Sequence, residues 1–107
     1  MPARLATCPG MTITVLDFTA AWCAPCRAMT PILTALQAEY RGRIQIDEID
    51  VDHDRDSAQR YDVRSMPTLV LLRDGREVGR VVGARSRAFV AGVIDRALAG
   101  DVAIAAP

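Results

Sequence analysis

Two cysteines, Cys23 and Cys26, stand where an apolar run, Ile13 to Phe18, hands over to a helical pattern. Few folds accommodate that arrangement. A thiol at a helix start lies against the positive end of the helix dipole, which favours the thiolate, the form that attacks disulfides. The intervening Ala24-Pro25 brings the second thiol within reach of the first. Such a pair can open and close a small disulfide loop, so the spacing suits redox cycling better than static cross-linking. The same spacing is also half of a zinc site. Zinc would need two further ligands, and the candidates, Cys8 and the lone His53, stand at no recognised spacing. No metal site is expected.

Periodicity predicts alternating strands and helices around the pair. Ile13 to Phe18 is short, apolar and β-branched, as suits a strand covered on both faces. From Cys23 to about Tyr40, residues Met29, Ile32, Leu33, Leu36 and Tyr40 recur at helical spacing, and Gly42 supplies a stop. Pro31 lies inside that helix and should bend it. Ile44 to Val51 reads as a second strand and Ser57 to Tyr61 as a short helix. Thr68 to Leu72 and Glu77 to Val82 flank Asp74-Gly75, a hairpin signal. Ser86 then caps a last helix whose buried face is expected to be Phe89, Val90, Val93, Ile94, Ala97 and Leu98, ended by Gly100. The order β-α-β-α-β-β-α implies an α/β domain: a mixed sheet of about four strands with helices on both faces.

Composition narrows the function classes. A chain of 107 residues, half of them hydrophobic, buries one modest core, so residues 1–107 are read as one domain. Within it, 1–12 form an N-terminal arm, 13–100 the core and 101–107 a C-terminal tail. Thirteen acidic residues balance thirteen basic ones, which leaves no basic field for nucleic acid. Every basic residue is arginine. The apolar runs are too short for a membrane span, and the first ten residues lack a signal-peptide pattern, so the expected location is cytoplasmic. Asp50-x-Asp52-x-Asp54 copies the start of a calcium loop. Arg55 replaces the required glycine and Tyr61 the closing glutamate, so this stretch is read as a solvated acidic loop. Cys8 is read as an incidental thiol.

Asp17 interrupts the first apolar strand, where a buried carboxylate is costly unless kept for chemistry. Together with Asp17-Phe18-Thr19-Ala20, the segments Trp22-Cys23-Ala24-Pro25-Cys26, Pro31, Met66-Pro67-Thr68 and Val82-Gly83-Ala84 resemble the thioredoxin family, with spacings that agree from about residue 13 to residue 99. The resemblance implies a thioredoxin fold with Cys23 as nucleophile, its sulfur exposed at the helix end beside Trp22, and Cys26 as resolving thiol. It implies that Pro25 stiffens the loop between them and that Pro67 is a cis-proline opposite the motif. It implies, too, that Trp22, Met66, Gly83 and Ala84 form an apolar substrate-binding surface and that Asp17 transfers a proton beneath Cys26. Arg27 takes a position often basic in the family.

Three departures stand out. Ala24 replaces the glycine common between the thiols, which changes the redox poise in a direction the sequence does not give. Glu48 stands where the family commonly sets a lysine against the aspartate. Either Glu48 turns to solvent or two carboxyls share a site and one is pushed toward its protonated form. Only twelve residues precede Ile13, so the family's first strand and helix are reduced or missing, with Arg4 to Thr7 as a helical remnant or an irregular arm. The implied activity is reduction of protein disulfides by a monomer with no bound cofactor, electrons coming from an NADPH-dependent flavin reductase. The alternatives are a thioredoxin-fold binding subunit and a dedicated disulfide oxidant or isomerase.

Overall fold

Burial on both faces explains the first strand. In the computed structural model, which describes residues 12–100 and 103–105, β1 (Ile13–Thr19) sends Ile13 and Val15 to one side and Leu16 and Phe18 to the other. Period-2 alternation then puts Asp17 on the side of Ile13 and Val15. The helix α1 (Ala24–Glu39) covers that side, burying Met29, Leu33 and Leu36, and Pro31 lies within it. β2 (Ile44–Asp50) runs parallel to β1 in the register Ile13↔Ile44 to Thr19↔Asp50, which makes Asp17 and Glu48 neighbours.

A short α2 (Arg55–Arg60) packs Ala58 against the opposite face with Leu16, Phe18 and Val70. Its N-cap is Asp54, whose carboxylate accepts from the Ser57 N–H and is held below the ordinary carboxylate range by Ser57. β3 (Thr68–Arg73) pairs antiparallel with β1, and β4 (Arg76–Val82) with β3. Asp74 and Gly75 both have positive φ, 53° and 81°, the conformation a two-residue hairpin turn with the right twist demands. α3 (Arg87–Leu98) returns to the α1 side and buries Val90, Val93, Ile94 and Ala97. The expected four strands are therefore present, with α1 and α3 on one face and α2 on the other.

Two features differ from the sequence expectation. Phe89, assigned to the buried face of α3, is 37 % exposed. It lies one position outside the stripe that meets the sheet, and the Arg85 guanidinium stacks on its ring at 4.9 Å. The stretch expected as tail contributes a fifth strand, β5 (Ala103–Ala105), parallel to β4 in a sheet ordered β2-β1-β3-β4-β5. The N-terminal arm up to residue 11, with the Arg4–Thr7 remnant and Cys8, lies outside the described residues.

Ser86 caps α3 as expected, its side chain accepting from the Phe89 N–H at 3.1 Å. Replacing it by alanine orphans that donor, so Ser86→Ala should lower unfolding free energy by about 1 kcal/mol. Denaturant titration will show this as a lower midpoint at unchanged slope.

Candidate active site

β1 ends at Thr19 and the chain turns tightly, the Cys23 N–H reaching the Ala20 carbonyl at 3.1 Å, before α1 begins. Cys23 is the N-cap, in extended conformation, and its sulfur accepts the Cys26 N–H at 3.2 Å. That bond occupies one of the orphan donors of the first turn. Pro25 falls in this first turn, where a missing N–H costs nothing. One turn of helix separates the two cysteines, their Cα atoms are 5.3 Å apart, and the sulfurs are joined as a disulfide.

The expected exposure of Cys23 needs correction. Cys23 is 4 % and Cys26 6 % exposed, and both pack with Ala20 against Met66 and Val51. The capping geometry turns the Cys23 sulfur inward over the first turn, so the exposed apolar surface beside the pair is Trp22, 65 % exposed. Its indole N–H donates to Asp52 Oδ2 at 2.9 Å, and Asp52 is itself oriented by its backbone N–H on Asp50 Oδ1. Arg27 donates to the Ala21 carbonyl at 2.8 Å, tying α1 back to the turn.

Met66–Pro67 is a cis peptide, as expected. Pro67 is buried, and its carbonyl accepts the Gly83 N–H at 2.8 Å. At Gly83 φ is +86°, a conformation glycine adopts freely. Met66 is half-buried against the cysteines, Gly83 is half-buried and Ala84 is exposed. The fold thus joins Cys23, Cys26 and Met66 in one cluster and couples Pro67 to Gly83.

Asp17 lies on the sheet face that α1 covers. It is 8 % exposed and, with Glu48, lines a cavity of about 580 Å³ between α1 and β2. Loss of hydration, reinforced by the Glu48 charge, pushes its pKa from 3.8 up to about 6. Of the two arrangements left open by the sequence, elements of both occur: Glu48 is exposed, yet it faces the cavity and acts on Asp17. Among the described residues no three His, Cys, Asp or Glu side chains converge as a metal site.

Sequence reasoning missed two polar partners. Asp52 was grouped with a solvated acidic loop, because nothing local ties it to an indole thirty residues away. Gln37 carries no signal in the sequence pattern that singles it out. Its carboxamide donates to the Ile44 carbonyl at 3.2 Å and accepts the Ile46 N–H at 3.1 Å, taking the place of a neighbouring strand along that part of β2.

Comparison with known proteins agrees with this geometry. The Thioredoxin family profile matches residues 9–96. The chain belongs to the thioredoxin family. It is 41 % identical over 85 residues to thioredoxin C-2 of Corynebacterium nephridii, covering 79 % of each chain. It is 40 % identical over 86 residues to a Staphylococcus aureus thioredoxin, covering 80 % of this chain and 83 % of that one. The germline-specific thioredoxin Deadhead of Drosophila melanogaster superposes with a TM-score of 0.76 at 33 % identity, over 88 % of this chain and 86 % of that one. Family membership and the Cys-x-x-Cys disulfide at the helix start make the chain a thiol–disulfide oxidoreductase that reduces protein disulfides.

Proposed function

We propose that Cys23 is the nucleophile and Cys26 the resolving thiol of a protein-disulfide reductase that uses no bound cofactor. The observation that carries this reading is the Cys26 N–H directed at Cys23 Sγ on the N-cap of α1. A hydrogen bond and the helix dipole both favour a thiolate at Cys23 over one at Cys26. In the reduced enzyme Cys23 Sγ attacks one sulfur of a substrate disulfide, forming a mixed disulfide and releasing the other substrate sulfur as a thiolate that takes up a proton. Cys26 loses its proton and attacks Cys23 Sγ, which frees the second substrate thiol and leaves the Cys23–Cys26 disulfide. Two electrons pass from the dithiol to the substrate.

Asp17 is the proton acceptor for Cys26 in this reading. Its support is a carboxyl with pKa near 6 on the sheet face that α1 covers, able to exchange protons near neutrality. The cavity beside Asp17 gives its carboxyl access to water, through which the proton taken up can leave. Trp22, Met66, Pro67, Gly83 and Ala84 form the surface on which the substrate segment lies, its support being the contact of Met66 with the cysteines and the Pro67–Gly83 hydrogen bond.

Electrons return from an NADPH-dependent flavin reductase in the cytoplasm, where the chain acts as a single-domain monomer on disulfide-containing proteins, without nucleic acid or membrane. Among the described residues no helix is long and apolar enough to cross a membrane. The test is NADPH consumption with thioredoxin reductase and insulin. Oxidation of NADPH that needs both this chain and insulin is the expected result, and its absence would overturn the electron route.

A further inference from the structure

The backbone of β2 is only partly used. The Ile13 N–H meets the Arg43 carbonyl and the Val51 N–H meets the Thr19 carbonyl, so the odd-numbered residues of β2 face β1. Ile44, Ile46, Glu48 and Asp50 therefore present their backbone groups to the other side. Gln37 takes the first of these, and the Asp50 carbonyl accepts from the N–H groups of His53 and Asp54. From the Ile46 carbonyl to the Asp50 N–H, no strand lies opposite among the described residues. Directly under this edge is the cavity holding Glu48 and the nine-tenths buried Asp17, whose pKa is set by burial and charge with no hydrogen bond contributing.

We propose that this edge and cavity together receive an extended partner segment carrying a lysine, which pairs with Ile46–Asp50 and places its ammonium between Glu48 and Asp17. The spacing fits. Neighbouring strands lie about 4.8 Å apart, so a residue opposite Glu48 is roughly 10 Å from the Asp17 backbone, and its side chain points to the α1 face when that of Glu48 does. A lysine stem spans roughly 6 Å, enough to carry the charge toward both carboxyls. Leu33 and Ile46 line the way with apolar surface for the methylenes. A compact three-donor ammonium serves two separate carboxyls, whereas a guanidinium fork matches one. Arg41 is the cation on the cavity wall, at the α1 end of its lining, and the segment 12–100 offers no lysine because the whole chain has none. Among the described residues no ammonium reaches the cavity, and the proposed segment is that of a partner molecule. Strand addition supplies affinity through backbone hydrogen bonds and the buried acid supplies selection for the charge.

The probe is an acetylated, amidated peptide Thr-Val-Lys-Val-Thr titrated into the full chain by calorimetry and NMR, beside a twin with norleucine replacing lysine. The lysine peptide is expected to bind about tenfold more tightly than the twin. On binding, the Glu48 and Asp50 amides become protected from hydrogen exchange and the Asp17 carboxyl titrates at lower pH. Glu48→Gln, which sits on the surface, should lower lysine-peptide affinity about tenfold while leaving the twin unchanged. Equal binding of the two peptides, or protection at other amides, overturns the proposal. So does protection of Glu48 and Asp50 in the free protein, which would mean that the chain covers its own edge. If n-butylammonium alone binds as tightly as the peptide, the site takes a free amine and the strand pairing is wrong.

Discussion

Cys23→Ser reduces no insulin above the rate of the external thiol, whereas Cys26→Ser reacts once and stops as a mixed disulfide. The asymmetry follows from position. Cys23 caps α1, with the Cys26 N–H on its sulfur, so its thiolate is the better stabilised of the two and makes the first bond to substrate. Without it, Cys26 is left one turn inside the helix, away from the N-cap position that stabilises an attacking thiolate. Removing Cys26 leaves the attack intact but takes away the intramolecular thiolate that breaks the mixed disulfide. Mass spectrometry after incubation with a disulfide-bonded target measures both steps. Adduct formed by the Cys23→Ser protein and none by Cys26→Ser would reverse the assignment.

The legible parts of this fold are those dictated by neighbours in sequence. Asp74-Gly75 declared the β3–β4 hairpin because the turn needs two residues tolerant of positive φ, and both have it. Ser86 declared the start of α3 because an N-cap oxygen acts within its own turn. The redox pair was equally local, since a helix start and a three-residue spacing bring the thiols together without help from the remaining fold.

Long-range pairings were the illegible part. Cys23 is expected to be exposed from its place at the helix end beside Trp22, and its burial depends on Met66 and Val51 arriving from distant segments. Phe89 belonged to the hydrophobic stripe by spacing, but the sheet is met one residue further along the helix. β5 follows Gly100 as three small and apolar residues, too short a run for periodicity to register. The bond between Trp22 and Asp52 and the two bonds of Gln37 to β2 likewise depend on register between elements. Asp17 lies between these cases. Its oddity was plain in an apolar strand, and Glu48 was its expected neighbour, but the direction of the Glu48 side chain came only with the fold.

Asp17→Asn should make the protein more stable at neutral pH while slowing its turnover. The folded-state pKa of Asp17 lies near 6 against an ordinary 3.8, through burial first and the Glu48 charge second. An acid whose pKa is raised by folding binds its proton more tightly in the native state. The corresponding stability is complete below about pH 3.8, falls as pH rises, and is gone once pH has passed the folded value near 6. At pH 7 the fold therefore carries a buried carboxylate at a cost of about 1–3 kcal/mol, with the upper figure reduced by the cavity's access to solvent. Asparagine keeps the shape and removes the charge, so unfolding free energy at pH 7 should rise by about that amount and lose its decline between pH 4 and pH 6. Glu48→Lys should reach part of the same gain by another path, since a cation at that register position lowers the Asp17 pKa. The kinetic consequence runs the other way. Without a carboxylate to take the Cys26 proton, release of the mixed disulfide slows at neutral pH and recovers as pH rises toward the thiol's own pKa. Urea titrations across pH 4–8, read beside single-turnover release from a trapped substrate, measure both halves. An asparagine variant with unchanged stability and unchanged release would show Asp17 to be solvated and idle in the cycle.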